Sequence, residues 1–380
     1  MKSMYDAIIV GSGPAGSTAA HFLSSQGRKV LVLEKQSLPR YKTCGGGLSL
    51  QMLKQFPFSF DPVIDIQVQK TTYALKGESV TFDLPPQSIG MVMRDQFDSF
   101  ILEHAKADIL TNRQVVAVSE LPDRVQVQTQ TGETFEGQYL IGADGANSLV
   151  ARRVSPGTAS RNVAAIEVEA KVSSRIQQKY QENPLFIFDA MPFGYLWIFP
   201  KKDHLSIGVA AYHPRPGQLQ AVLQQEMKRY GISWENAIQH GHPIPVYTHR
   251  KKVSSGRMVL AGDAAALVDP FTGEGIRFAI QSGKFAAEAI TSERIAQYQG
   301  VIDHQIGRNH RLGLGLAFLF YHFPRTCFAL GVLNPHATHA FTHMLSGEWG
   351  YRQVILRLFG TLPLHLAQQS YRLIFSYGSK

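Results

Sequence analysis

The chain has 380 residues, of which 44% are hydrophobic, and it carries a formal net charge of +9. This length and composition exclude a disordered chain and suffice to bury one large core or two smaller ones. Because only Cys44 and Cys327 are present, no disulfide framework is expected, and a reducing cytoplasmic compartment is favoured. Positive charge without a groove-reading motif makes nucleic acid a poor candidate partner.

The first 34 residues predict a βαβ unit that binds a dinucleotide. An apolar strand at 5–10 runs into Gly11-Ser12-Gly13-Pro14-Ala15-Gly16 and a small-residue helix, and a second apolar strand covers 30–33. Gly11 permits the tight turn, Gly13 lets the backbone approach a pyrophosphate, and Gly16 lets the helix lie close on the strand. Ala15 belongs to the same turn.

Glu34 ends the second strand, and Lys35 follows it. A carboxylate at this position can accept hydrogen bonds from the adenosine ribose hydroxyls. The same carboxylate would repel a 2′-phosphate, which leaves FAD or NAD as the nucleotide at this site.

A second element decides between these two nucleotides. The strand at 259–261 ends in Gly262-Asp263, and Gly273-Glu274-Gly275 then leads into a helix predicted from Ile276 to Ile290. An Asp just past a strand can bind ribityl hydroxyls, and a helix N-terminus can stabilise negative charge on a reduced flavin ring. A simple NAD dehydrogenase has no use for this element, so FAD is predicted.

A third strand, Leu140 to Gly142, breaks into an acidic turn at Asp144-Gly145. With it the chain resembles the p-hydroxybenzoate-hydroxylase-like flavoproteins, the class that contains aromatic-ring hydroxylases and the geranylgeranyl reductase family. In that class this motif is associated with flavin and nicotinamide binding. Ala151 departs from the pattern, since many hydroxylases carry an Arg there.

Three segments resemble the geranylgeranyl reductase branch. Cys44-Gly45-Gly46 is similar to a loop that lies near the flavin ring in this family. The run Tyr195-Leu196-Trp197-Ile198-Phe199-Pro200 is similar to the family's strand on the wall of the substrate cavity. The run Gly273-Glu274-Gly275-Ile276 is similar to the start of a family helix. Arg94 begins a helix that helps to bind FAD in these proteins. The residues predicted to bind FAD are Gly11, Gly13, Ala15, Gly16, Glu34, Lys35, Cys44, Gly45, Arg94, Asp144, Gly262, Asp263, Gly273, Gly275 and Ile276.

The resulting fold prediction is an α/β, Rossmann-type FAD-binding domain with an inserted antiparallel β-sheet substrate domain and a C-terminal helical region. Residues 1–60, 90–160 and 250–300 are assigned to the FAD-binding domain, 61–89 and 161–249 to the substrate domain, and 301–380 to the helical region. The substrate sheet is predicted from alternating apolar and polar residues, as in Ile166 to Val172 and Leu205 to Ala211.

The resemblance implies an FAD-dependent reductase of isolated prenyl double bonds, with NADPH or reduced ferredoxin as electron donor. Tyr195, Trp197 and Phe199 alternate along a strand and therefore share one face, which Phe193 is expected to join. Aromatic rings tolerate the positive charge that develops on an alkene without acting as nucleophiles. Cys44, Tyr195 and Trp197 are the catalytic candidates, and Gly46, Phe193, Tyr195, Trp197 and Phe199 the substrate-binding candidates.

Two alternatives stay open. One is a flavin-dependent monooxygenase, hydroxylase or halogenase of an aromatic substrate, although the Lys in a Trp-rich motif that a halogenase needs is not found in the sequence. The other is a flavin dehydrogenase that passes electrons to a quinone. Cys44 could also serve only to shape its loop.

The last fifth of the chain is basic and rich in Leu, Phe and Tyr. From residue 301 onward, seven Lys or Arg stand against Asp303 and Glu348. Such a tail fits a peripheral membrane-surface element, a lid over an apolar cavity, or a packed helical cap. His336, His339 and His343 have helical spacing without a Cys or acidic companion in the pattern, so a solvated face is predicted and no metal site.

Overall fold

The computed structural model describes residues 4–157, 162–235 and 237–376. The strands are β1 Tyr5–Val10, β2 Val30–Leu33, β3 Gly47–Ser49, β4 Ile66–Val68, β5 Lys70–Leu75, β6 Glu78–Asp83, β7 Ile89–Met91, β8 Asp108–Leu110, β9 Val115–Glu120, β10 Val125–Thr129, β11 Thr134–Gly142, β12 Asn162–Ala170, β13 Leu185–Ile187, β14 Gly194–Pro200, β15 Leu205–Ala211, β16 Ile238–Pro245, β17 Ser254–Ser255 and β18 Met258–Leu260. The helices are α1 Pro14–Ser25, α2 Arg94–Glu103, α3 Leu149–Val154, α4 Ser174–Tyr180, α5 Gln218–Arg229, α6 Ile276–Thr291, α7 Tyr298–Ile302, α8 Arg308–His322, α9 Pro324–Cys327, α10 Pro335–Leu345 and α11 Tyr351–Ser376.

The first sheet has the order β17-β18-β11-β1-β2-β8, and β9 and β10 extend it beside β11. Its centre is parallel, because β1 pairs with both β2 and β11 in that direction. The strands β1 and β2 are apolar runs buried on both faces, as expected of parallel strands covered by helices. Helices α1 and α6 cover one face, and Gly283 of α6 touches the α1 backbone so closely that a Cβ there would strike the Ala15 carbonyl oxygen.

The second sheet has the order β16-β12-β15-β14-β13-β5-β6. Leu196 and Ile198 of β14 point to the face covered by α5, where they pack with Leu223 and Met227. The side chains between them point to the opposite face, toward the first sheet. One pair, β5 with β13, is parallel, so the predicted antiparallel sheet is mixed at this position. The reason is that β5 comes from a separate excursion of the chain, whereas hairpins join only antiparallel neighbours.

The chain passes between the two sheets four times. It leaves the first sheet after β2, enters the second as β5 and β6, returns to β8–β11, leaves again for β12–β16, and comes back as β17 and β18. A small sheet of β3, β7 and β4 lies on the first of these excursions. The assignment of chain segments to domains stays a prediction.

Helices α7 to α11 follow the two sheets. Tyr351 at the start of α11 packs on Gly313 of α8, and its backbone N–H donates to Asn309 Oδ1 at 2.8 Å. In the described part of the chain, no helix is long and apolar enough to cross a membrane. Lys380 and the side chains of Arg372 and His336, which the tail and histidine predictions include, lie outside the described residues.

Candidate active site

One cavity of about 830 Å³ extends from the turn after β1, past the face of the second sheet, to helices α8 and α11. Most of the predicted cofactor residues line its first end: Gly11, Gly13, Ala15, Glu34, Lys35, Cys44, Gly45, Arg94, Asp144, Asp263, Gly273, Gly275 and Ile276. These residues come from the carboxyl ends of strands and from helix N-termini, the positions where open α/β sheets bind ligands.

Gly16 and Gly262 shape this end of the cavity without lining it. A Cβ on Gly16 would collide with the Gly11 carbonyl, and one on Gly262 would lie 3.0 Å from the Ala15 Cβ. A Cβ on Gly13 would meet only Arg40 Nη2, at 3.5 Å. The protein therefore does not itself fill the space above Gly13, as expected where a pyrophosphate approaches the backbone.

Glu34 is buried and held in its ionised form. Its carboxylate accepts hydrogen bonds from the Ser12 backbone at 3.0 Å, the Ser12 hydroxyl at 2.7 Å and the Gln36 backbone at 3.0 Å. Burial alone would raise the pKa of Glu34, but Arg40 and these hydrogen bonds outweigh it and lower the pKa. The residue is thus fixed as an acceptor, as ribose binding requires.

The two turn aspartates differ in what they bind. Asp144 accepts hydrogen bonds from the Ser148 hydroxyl at 2.5 Å and the Leu149 backbone N–H at 2.7 Å. Its carboxylate therefore binds the groups at the N-terminus of α3. Burial raises the pKa of Asp144 despite these bonds. Asp263 lines the cavity, and its carboxylate makes no hydrogen bond within the described residues. A free carboxylate facing the cavity suits ribityl hydroxyls.

The loop Thr43–Gly47, which we call the cysteine loop, forms the middle of the cavity wall. Two buried charged residues that the sequence reasoning missed hold it in place. Glu167 accepts hydrogen bonds from the Cys44 backbone N–H at 2.6 Å and the Tyr41 hydroxyl at 2.9 Å. The Lys201 ammonium donates to the carbonyl oxygens of Gly45 and Val92, both at 2.8 Å. Burial raises the pKa of Glu167 and lowers that of Lys201.

Opposite the cysteine loop stand Tyr195, Trp197 and Phe199, which we call the aromatic wall. Their ring centroids follow one another at 6.1 and 6.2 Å, and all three line the cavity. A Cβ on Gly45 would lie 2.8 Å from the Phe199 ring and 2.9 Å from Trp197 Nε1. Gly45 is therefore required by close contact between the loop and the wall. Gly46 lines the same part of the cavity.

Phe193 does not join this wall, contrary to the sequence expectation. It precedes β14 with a φ of +53°, its side chain is 46% exposed, and its ring lies 5.3 Å from His322. The left-handed backbone turns Phe193 away before the alternation of the strand begins. Phe193 is therefore removed from the residues that could bind substrate in the cavity.

Beyond the aromatic wall the cavity becomes a largely apolar chamber, which we call the apolar chamber. It continues between β5, β13 and the C-terminal helices and is lined by Tyr73, Leu84, Met91, Phe186, Phe188, Phe271, Leu316, Leu319, Phe320, Phe341, Leu358 and Phe359. Such a lining fits a long hydrocarbon chain rather than a polar ring system.

A buried polar network lies behind the loop Asp269–Gly275, which precedes α6. Asp269 Oδ1 accepts hydrogen bonds from the Tyr351 hydroxyl at 2.6 Å and from the backbones of Phe271 and Thr272 at 2.9 Å. Thr272 in turn accepts from the Tyr195 hydroxyl at 3.1 Å. The loop is thus fixed both by α11 and by the aromatic wall.

His310 of α8 completes this network. Its Nε2 lies 2.9 Å from the Leu267 carbonyl oxygen and therefore carries a proton. Its Nδ1 faces Asp269 Oδ2 at 3.7 Å, and neither atom has a hydrogen-bond partner within the described residues. Burial lowers the pKa of His310, against the attraction of Asp269.

The histidine pattern has an acidic companion that the spacing did not reveal. His343 is hydrogen-bonded through Nδ1 to Glu348, and its Nε2 lies 3.1 Å from Nε2 of His339. His339 remains exposed. Among the described residues, no group of three or more potential ligands is placed to hold a metal.

The comparisons with known proteins agree with this geometry. A family model described as "FAD binding domain" matches residues 4–292, which places the chain among FAD-dependent flavoproteins. The geranylgeranyl diphosphate reductase of Rhodobacter capsulatus is 31% identical over 75% of this chain and 74% of its own length. The menaquinone reductase of Mycobacterium tuberculosis is 27% identical over 88% of each chain.

A solved structure of a geranylgeranyl bacteriochlorophyll reductase-like protein from Thermoplasma acidophilum shares the fold. Its TM-score is 0.79 at 21% identity, with 97% of this chain and 99% of that chain covered. The protein is an FAD-dependent oxidoreductase. More particularly, the chain belongs to the geranylgeranyl reductase family.

The binding of FAD is expected to weaken above pH 8 through Lys42. This residue lines the cofactor end of the cavity, and burial lowers its pKa to about 8, against the attraction of nearby Asp263. Below pH 8 the ammonium attracts the FAD phosphates, and above it the charge is lost, so the Kd should rise with pH. Titration of the apoprotein with FAD at pH 7 and pH 9 measures the Kd at each pH.

The variant Lys42→Met should bind FAD more weakly than wild type at pH 7 and lose most of the pH dependence. Circular dichroism of the apoprotein at both pH values controls for unfolding. Equal affinities of the wild type at the two pH values would contradict the role of Lys42.

Proposed function

We propose that the protein reduces isolated double bonds of a prenyl chain. The observation that carries this proposal is the order of surfaces along one cavity: a dinucleotide cradle, the cysteine loop facing the aromatic wall, and then the apolar chamber. Bound FAD, once reduced, supplies the hydride. The chamber holds the hydrocarbon chain, and its position brings one double bond to the cavity side of the aromatic wall, beside the cysteine loop.

The aromatic wall has a defined task in this reaction. An isolated alkene has no electron-withdrawing group, so positive charge develops on one carbon as the other receives the hydride. The faces of Tyr195, Trp197 and Phe199 stabilise such a charge without reacting with it. Because the wall also excludes water, the carbon is protected from hydration.

Completion of the reduction needs a proton on the second carbon. Cys44 and Tyr195 both line the cavity, and a thiol and a phenol are each side chains that can donate a proton. The cysteine loop is fixed by Glu167 and Lys201, so the position of Cys44 relative to the wall is set by two buried charges. We assign the proton to one of these two side chains. NADPH or reduced ferredoxin is the proposed source of electrons.

The direct test is anaerobic incubation of the FAD-loaded protein with dithionite or NADPH and a geranylgeranyl substrate in detergent. Mass spectrometry should detect the gain of two hydrogens for each reduced bond. Flavin released by heating should be FAD. Reduced flavin that persists unchanged with every prenyl substrate offered would overturn the proposal.

A second candidate is reduction of a prenylated quinone, which the similarity to a menaquinone reductase favours. The apolar chamber accommodates a prenyl tail in either case. Stoichiometric oxidation of the flavin by menaquinone, with the tail mass unchanged, would support electron transfer to the ring. Oxygen consumption coupled to a new hydroxyl or halogen on an aromatic substrate would instead support a monooxygenase or halogenase.

Replacement of Trp197 by leucine should slow alkene reduction with little effect on FAD content. Loss of a cation–π contribution of about 2 kcal/mol corresponds to about 30-fold in rate. Gly208→Ala should have a similar effect, since a Cβ there would collide with the Trp197 ring.

Trp234→Leu serves as the matched control, because Trp234 packs behind the second sheet, outside the cavity. Single-turnover oxidation of the reduced flavin by substrate measures the rate. If Trp197→Leu loses FAD or unfolds in parallel with activity, Trp197 is a packing residue.

A further inference from the structure

The C-terminal helices expose an unusual amount of apolar surface. Of the thirteen large hydrophobic side chains that are exposed in the described chain, eight lie in or directly after α8 and in α11. They are Leu312, Phe318, Leu319, Phe323, Leu356, Phe359, Leu364 and Leu366. Phe193, displaced from the aromatic wall, contacts His322 at the end of α8 and adds to this surface.

The spacing of these side chains places most of them on one face of each helix. In α11, Arg352, Leu356, Phe359, Pro363 and Leu366 recur at intervals of four and three, and all five are exposed. In α8 the same intervals connect Arg308, Arg311, Leu312, Gly315, Phe318, Leu319 and His322, which are also exposed. We call these two rows together the α8–α11 face.

The charge of the α8–α11 face is of one sign. The sequence contains no Asp or Glu from 304 to 347 or from 349 to 380. The two acids of the region are engaged elsewhere, Asp303 with Arg250 and Glu348 with His343. Arg308, Arg311, Arg325 and Arg352 are exposed. An apolar surface that carries exposed arginines and no acidic residue of its own complements an anionic lipid bilayer.

The cavity reaches this face. Leu319 of α8 and Phe359 of α11 both line the cavity, yet their side chains are 48% and 70% exposed. These two residues therefore belong both to the lining of the apolar chamber and to the exposed apolar rows.

We propose that the α8–α11 face lies on an anionic lipid bilayer and that the prenyl chain passes from the bilayer into the chamber between Leu319 and Phe359. An apolar chain that took this route would never cross water. The direction of entry, though not the docking itself, rests on the proposed prenyl substrate.

The docking surface is tested with the full-length FAD-loaded protein and vesicles of phosphatidylcholine with and without phosphatidylglycerol. Co-sedimentation should require the anionic lipid and fall as salt rises. Leu356→Ser/Phe359→Ser and Arg311→Gln/Arg352→Gln should each weaken partitioning at least tenfold. Val116→Ser/Ile238→Ser and Arg153→Gln/Arg175→Gln, exposed residues outside the face, should bind as wild type.

The orientation is tested with Phe359→Trp and vesicles that contain brominated lipid. Bromine should quench the added tryptophan at Phe359 but not one placed at Ile238. Absence of wild-type binding at low salt, equal binding of the face and control variants, or equal quenching at both positions would overturn the docking surface.

Entry between the two helices is tested by the rate of prenyl reduction. Leu319→Arg should slow reduction of a substrate embedded in vesicles more than tenfold relative to the same substrate in detergent. An equal effect in both media would overturn the entry route. Failure to reduce any prenyl chain, with vesicle binding intact, would refute the proposed function and leave the docking surface standing.

Discussion

Gly13→Val is expected to abolish FAD binding while the apoprotein stays folded. The backbone of Gly13 has a φ of −70°, which valine adopts, and the nearest protein atom to a Cβ there is Arg40 Nη2 at 3.5 Å. The added methyl groups would occupy the space that the pyrophosphate needs. We expect the Kd for FAD to rise by about 100-fold or more, which corresponds to about 2.7 kcal/mol.

Flavin content after purification and fluorescence titration measure this loss, and the unfolding temperature of the apoprotein reports the fold. Gly300→Val, on a helix where a Cβ meets nothing, is the matched control and should retain FAD. Gly16→Val should behave differently from both, because its Cβ collides with the Gly11 carbonyl and damages the fold itself. Stoichiometric flavin in Gly13→Val would argue against a pyrophosphate at this turn.

Asp269→Ala is expected to destabilise the protein by about 3 kcal/mol or more, because a buried hydroxyl and two backbone N–H groups lose their acceptor. The loop Asp269–Gly275 should then loosen at both α6 and the aromatic wall. Tyr351→Phe removes only one of these bonds and should cost about 1.5–3 kcal/mol. Chemical denaturation measures both values.

The flavin distinguishes a local from a general effect. If Asp269 and Tyr351 position the loop beside the flavin, Tyr351→Phe should shift the flavin absorption spectrum or its reduction potential under conditions where the protein is fully folded. Tyr180→Phe is the control, since Tyr180 is also buried but packs behind the second sheet, outside the cavity. Identical shifts in the two variants would mean that Tyr351 stabilises the fold without acting on the flavin loop.

The local parts of the fold follow from the sequence because they rest on short-range chemistry. A few neighbouring residues suffice to predict the strand–glycine–helix turn at Gly11 to Gly16. The same holds for the acid at Glu34 and for the helix that starts at Ile276. The alternation at Tyr195, Trp197 and Phe199 likewise places three rings on one face. The expectation that Phe193 joins these rings was wrong, because a positive φ at Phe193 ends the alternation just before the strand.

The missed residues depend on contacts between distant segments. Glu167 alternates with apolar neighbours and was therefore expected on a polar face, yet that face meets the cysteine loop 123 residues away. Asp269 and Tyr351 are 82 residues apart. Helical spacing in the tail predicts an amphipathic surface, but periodicity alone does not say whether the apolar row is covered. Only the packing of α8 against α11 answers that question.

The four passages of the chain between the two sheets restrict how the enzyme can move. Two bodies joined by one linker can swing apart like a clamshell when a few backbone torsions change. Here four separate segments would have to bend together. The first two of these segments also contain the strands of the small β3–β7–β4 sheet. A hinge-like opening between the two sheets is therefore not expected, and exchange of FAD would depend on local motion at the ends of the cavity.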